Sequence, residues 1–247
     1  MMYQEPPILT IAFLYAESVP LYKDYYELPL YLNDYYNKKV HSEEDNAYSP
    51  YTYVRYCRHD SLLSKTAAIM VGSIDLGEGG YRWTEKLFFY NDEKNILESF
   101  AKYLGEYRYI CSYYTKIKQV PFIIKRMIMN KLDLPVIFSN MQNEYLMNGY
   151  YKNVIDIFGL WNMGLGDEII DLDDLSGVFD KYNPQKKYSY SDFVNAWYKL
   201  QKGTGQDNYK VIEQYMSNIV KVIGKTYINL VAKGWQKDTY LTTFYQK

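Results

Sequence analysis

Few residues in this chain have the type and spacing that chemistry requires. Glu17 is the one carboxylate in the apolar run from Ile8 to Pro20, where a charge is costly unless it is partnered or holds a ligand. A second acidic group, Asp167, Glu168, Asp171, Asp173 and Asp174, reads as a solvated face or a helix start rather than a metal site. His41 and His59 have no spaced partner and are expected at the surface rather than as ligands or bases. The segments Gly164 to Gly166 and Gly203 to Gly205 lack the strand-then-helix context of a phosphate loop. No Gly-x-Ser-x-Gly or Cys/His nucleophile pattern occurs. One basic strip, Lys116, Lys118, Lys125, Arg126 and Lys131, lies beside Tyr113 and Tyr114. It reads either as a channel for single-stranded nucleic acid or as the solvated face of an amphipathic helix.

The elements that must position these groups follow from apolar patterning. Ile8 to Pro20 predicts a strand buried on both faces at the centre of a sheet. Thr66 to Leu76, a turn at Gly77 to Gly80, and Arg82 to Tyr90 predict a hairpin beside it. Asn91 is the expected N-cap of a helix whose Ile96, Leu97, Phe100 and Leu104 share one face. Arg108 to Tyr114 predicts a further strand, and Gln119 to Lys131 a helix with Pro121 in its first turn. Beyond that, Val154 to Trp161 is a short apolar segment. Helices are expected over Leu172 to Phe179, Ser191 to Leu200 and Tyr209 to Ala232. The expectation is one α/β domain over 1–247, with a mixed five-stranded sheet flanked by helices and a helical C-terminal half.

Composition narrows the function classes. The 28 basic and 29 acidic side chains nearly cancel, so the global field does not advertise nucleic-acid binding. Cys57 and Cys111 make no ligand spacing and are expected as buried free thiols. The N-terminal residues carry no signal-peptide pattern and no 18-residue apolar window occurs, so neither secretion nor a membrane span is expected. Aromatic content is 18%, with 31 tyrosines. Tyrosine suits interfaces, while coding in an AT-rich genome gives the same excess. Many of them fall in 21–60, read as an insertion without secondary structure of its own that packs on the domain or on another chain.

The segment Tyr15-Ala16-Glu17-Ser18-Val19-Pro20 resembles the Asp-Ile-Glu-Thr-Val-Pro that opens DEDD-type 3′–5′ exonuclease domains of the DNA-polymerase-B-like group. Cys111 to Phe122 is similar to that family's second motif, with Gln119 at its catalytic Asp, Tyr114 at its Asn and Pro121 retained. Val154 to Phe158 resembles the family's Asp-Leu-Met-Asp-Leu, which puts Asp156 at an Asp that is not a metal ligand. Leu172 to Leu175 resembles its Ser-Leu-Asp-Glu-Leu. The closing Tyr-x-x-x-Asp falls on Tyr215 and Ile219.

The resemblance implies a ribonuclease-H-like fold and, in the family, two metal ions held by four carboxylates. Three of those positions are here Tyr15, Gln119 and Ile219, so only Glu17 survives with Tyr215. One carboxylate does not hold two divalent ions. A phenol at Tyr15 is expected to give Glu17 a hydrogen bond in place of the lost charge cluster. No cofactor or metal is expected. The leading expectation is an inactivated enzyme fold reused as a structural or protein-interaction subunit, bound to other subunits through the 21–60 insertion. A viral or phage assembly, or a replication accessory role, would suit it, in the cytoplasm or within a viral particle. The alternatives are a binder of single-stranded nucleic acid in the former substrate cleft, through Lys116, Lys118, Lys125 and Arg126, and a nuclease with a rearranged metal site.

Overall fold

In the computed structural model, residues 8–43, 50–78, 80–138, 153–162, 171–179, 187–203, 205–232 and 240 are described. The predicted Gly164 to Gly166, Asp167 and Glu168 lie outside them. Five strands form one mixed sheet: β1 (Ile11–Pro20), β2 (Ser64–Gly77), β3 (Gly80–Phe88), β4 (Tyr109–Ser112) and β5 (Val154–Asp156), in the order β3-β2-β1-β4-β5. The β1–β2 and β2–β3 pairs are antiparallel, while β1–β4 and β4–β5 are parallel.

Strand β1 is central and all ten of its residues are buried, as its continuous apolar character requires. Alternate side chains serve opposite faces. Phe13 and Tyr15 join one core with the C-terminal helices, and Ala12, Leu14 and Ala16 join the other. That other core is closed by α3 (Glu93–Leu104) through Ile96, Leu97, Phe100 and Leu104, and by α4 (Val120–Met129). The first core is closed by α5 (Ile157–Trp161), α6 (Leu172–Phe179), α7 (Tyr190–Gln201) and α8 (Gln206–Val231). Gly72 is glycine because the Trp83 ring lies over it; a Cβ there would sit 2.2 Å from a ring carbon. No described helix is long and apolar enough to cross a membrane.

Three predicted elements differ in detail. Ile8–Thr10, read as the start of the central strand, form a 3-10 turn ahead of β1. Helix α3 begins one residue later than expected, with Asp92 rather than Asn91 as its cap and no side-chain cap bond. Its Glu93 carboxylate turns instead to the Thr66 N–H (2.6 Å) and the Arg126 guanidinium (2.6 Å). Helix α4 is preceded by a π-turn, Thr115–Gln119, opened by Tyr114 in the left-handed conformation at φ 53°. Cys57 and Cys111 are free and buried.

The 21–60 segment corrects the expectation of an irregular insertion. It contains α1 (Leu30–Glu43) and α2 (Pro50–Cys57), and a short 3-10 turn capped by an Asp24/Glu27 box. Along α1, Leu32, Tyr36 and Val40 recur every four residues, the spacing of one helical face; Leu28 joins them from just before the helix. They form a third core with Tyr53, Cys57 and Leu63. Tyr25, Tyr36 and Tyr53 pack ring against ring with centroids 5.4–6.1 Å apart. Tyr26, Leu30 and Tyr31 face outward.

Candidate functional site

Tyr15 and Glu17 are two residues apart on β1, so both point to the face covered by α8. A register shift against β2 falls between Glu17 and Ser18, an irregularity of the kind that re-aims side chains near sites. Glu17 is fully buried. Its Oε2 accepts from the Tyr15 hydroxyl at 3.0 Å and from the Tyr215 hydroxyl, on α8, at 2.7 Å. The phenol at Tyr15 therefore bonds Glu17 as the sequence implied.

The sequence did not single out the cation. Arg58, just after α2, forks onto the carboxylate with Nη2 on Oε2 at 2.6 Å and Nε on Oε1 at 3.1 Å. Its Nη2 also donates to the Tyr15 and Tyr215 hydroxyls. The guanidinium carbon sits 4.4 Å from the centroid of the Tyr190 ring, a cation–π contact. The Ser18 N–H gives Oε1 a further bond at 3.0 Å. Five donors thus converge on a carboxylate with about four lone-pair sites.

Next along the chain, His59 departs from its expected surface position. Its ring lies among buried groups, with Nε2 2.8 Å from the Ala16 carbonyl and 3.5 Å from Glu17 Oε1. Its own N–H donates to Ser18 Oγ at 2.8 Å. His59 holds φ 60°, a conformation that non-glycine residues keep only where surroundings enforce it. Gln119, at the end of the π-turn, accepts the Ala16 N–H at 2.8 Å through Oε1. Its amide therefore serves the backbone of β1.

Burial pushes the Glu17 carboxyl up, but the Arg58 charge, then His59 and the hydrogen bonds from Arg58 and Tyr215, hold it below its ordinary value. Burial pushes the Tyr15 and Tyr215 phenols up, and the Glu17 charge adds to this. Both stay protonated as donors. Burial drives His59 down, against the pull of Glu17 and with the repulsion of Arg58.

In front of the cluster lies a cleft of about 610 Å3 whose lining includes Tyr15, Gln119 and Ile219. The positions singled out from the sequence, 15, 17, 119, 215 and 219, are therefore gathered in one place. Arg55, Arg58 and Lys118 face the cleft along with Asp171 and Asp173. With Glu17 beneath Arg58, acidic and basic groups balance. Tyr113 and Tyr114 add aromatic lining, with ring centroids 4.6 Å apart.

No protein-family model matches the chain, and no curated protein matches its sequence.

The remaining predicted groups disperse. Asp156 accepts the Phe158 N–H and the Lys116 N–H, as a helix-start acid does. Arg126 leaves the basic strip: it is buried against Glu93 and also donates to the Ser61 carbonyl. Lys116, Lys118 and Lys125 are exposed, and Lys118 Nζ lies 4.9 Å from the Tyr114 ring centroid. Gly203 and Gly205 lie between α7 and α8 at φ 77° and 84°. Among the described residues, no group of three or more His, Cys, Asp or Glu is placed to hold a metal ion.

Among the described residues, those at the site do not fit the two divalent ions that the exonuclease resemblance implies. Such ions need hard oxygen ligands with several carboxylates to offset their charge. Here Glu17, the one carboxylate left at the four aligned positions, is already saturated, and a guanidinium occupies its open side.

Proposed function

We propose that this chain is a non-catalytic member of the DEDD exonuclease group on a ribonuclease-H-like fold, used as a structural or protein-interaction subunit. The carrying observation is the saturation of Glu17 by Arg58, Tyr15, Tyr215 and the Ser18 N–H. That arrangement leaves Glu17 unable to take up a proton from water or to offset a dication, and among the described residues no group of three or more His, Cys, Asp or Glu stands ready to do so. The strand order β3-β2-β1-β4-β5, with a hairpin on one side of β1 and two parallel strands on the other, supports the ribonuclease-H-like reading. The gathering of positions 15, 17, 119, 215 and 219 supports the exonuclease resemblance.

The interaction role is supported by the insertion, which folds on its own small core and turns Tyr26, Leu30 and Tyr31 outward at 77%, 86% and 70% exposure. Apolar and aromatic groups displayed together are what protein interfaces use. A part of a viral particle, or an accessory subunit of a replication complex, suits such a display.

The test is calorimetric titration of the protein with Mn²⁺ and Mg²⁺, beside an assay on end-labelled single-stranded DNA. The expected result is neither binding nor trimming. Trimming of the 3′ end that is lost in Glu17→Ala would overturn the proposal in favour of a rearranged nuclease. The binding reading draws on exposed Lys116 and Lys118 beside Tyr114. It predicts salt-sensitive capture of single strands that charge reversal at both lysines abolishes. The balanced charge of the cleft ranks it second.

A further inference from the structure

We infer that Arg58 is the resident cation of this site, a guanidinium standing where the resemblance places divalent ions, and that through it the 21–60 insertion is fastened to the sheet. The inference rests on the proposed reading of the site as ion-free, and adds to it what fills the place and what that does.

A carboxylate as buried as Glu17 needs a counter-charge. A guanidinium meets the need in a way a metal would not here. Its planar fork matches both carboxylate oxygens, and its remaining N–H groups suit neutral phenols, which are poor ligands for Mg²⁺. Arg58 uses its Nε and Nη2 in this manner against Glu17, Tyr15 and Tyr215.

The fastening follows from where Arg58 comes from. It leaves the end of α2, and His59 beside it bonds Ala16 and Ser18. Three consecutive residues of β1, Ala16, Glu17 and Ser18, are therefore held by two consecutive residues of the insertion. Helix α7 closes over the same point, with Tyr190 under the guanidinium and its hydroxyl on the Ser18 carbonyl at 3.0 Å. One ion pair thus joins β1, the insertion, α7 and α8.

The test is a double-mutant cycle on the full chain: wild type, Arg58→Met, Glu17→Gln and both together, read by urea unfolding. Hydrogen exchange of the α2 amides is followed alongside that of α3 as a control. Arg58→Met strands a buried charge and is expected to lower the folding constant roughly a hundred- to a thousandfold. In the Glu17→Gln background the same change is expected to cost less than about tenfold, because the uncompensated charge is gone. Exchange in α2 is expected to rise in Arg58→Met relative to α3.

Folding of the double variant where Arg58→Met alone fails would support the inference. An additive cycle, failure of both variants to fold, or unchanged α2 exchange would overturn it. A Mn²⁺-dependent rise in the wild-type melting temperature that disappears in Glu17→Gln would overturn the ion-free reading, whatever the cycle gives. An additive cycle without that rise would overturn the Arg58 inference alone.

Discussion

Replacing Tyr215 with phenylalanine removes one oxygen from the centre of the site and leaves the rest of the side chain in place. The ring is buried and packs on Phe193 with centroids 5.1 Å apart, so no sizeable cavity opens. The hydroxyl donates to Glu17 Oε2 at 2.7 Å and accepts from Arg58 Nη2 at 2.9 Å. A hydrogen bond to a charged group contributes about 1.5–3 kcal/mol. Here Tyr15 and Arg58 keep Oε2 partnered, which places the loss at the low end, about 1.5–2 kcal/mol. For a chain of this size that lowers the melting temperature by about 3–8 °C. Urea unfolding followed by far-ultraviolet circular dichroism measures it directly. A tyrosine kept for catalysis behaves in the opposite way, because functional groups are commonly held at a cost in stability. A Tyr215→Phe protein within about 0.5 kcal/mol of wild type, or more stable, would refute the view that this hydroxyl now serves the fold.

Two further outcomes follow from the charges. Burial holds His59 below its ordinary 6.5, so the unfolded chain takes up that proton first and stability declines as pH falls below about 6.5. Glu17, also depressed, adds a second loss below about pH 4.5. His59→Gln should flatten the first decline and leave the second, as unfolding free energies across pH would report. At the other face of the sheet, Arg126→Ala breaks a buried pair with Glu93 and should cost about 3–5 kcal/mol. Lys125→Ala, one residue earlier and exposed, should stay within about 0.5 kcal/mol. Equal effects of the two in denaturant melts would contradict the burial of Arg126.

Much of the sheet was legible because its strands are apolar runs without competing readings. Strand β1 from Ile11 onward, strand β2, and the stripe Ile96, Leu97, Phe100 and Leu104 fall where patterning puts them. The insertion was not legible, because tyrosine serves both inside and outside. Tyr36 and Tyr53 are buried while Tyr26 and Tyr31 are exposed. Counted as apolar, Tyr36 completes the four-residue repeat of Leu32 and Val40 and marks the helix. Arg126 was misread for a related reason. Consecutive helical residues point about 100° apart, so its neighbour Lys125 can face water while it faces the core.

At the site, motif resemblance carried Tyr15, Glu17, Gln119, Tyr215 and Ile219 but could not reach Arg58 or His59. A buried carboxylate demands a cation, yet nothing in spacing says which of the 28 basic residues supplies it. Arg58 is 41 residues from Glu17, in a segment with no alternating pattern to place it.

The hydroxyl of Tyr215 reaches Glu17 across 198 positions of sequence. During synthesis, therefore, β1, the insertion and the hairpin emerge long before α8 exists to close over them. Contacts of such separation carry a large loop-closure cost. Until α8 closes, Glu17 has Arg58 and Tyr15 as its side-chain donors, and the core shared by Phe13 and Tyr227 stands open. A ribosome stalled ahead of α8 would therefore present an apolar sheet face of the kind that chaperones take up.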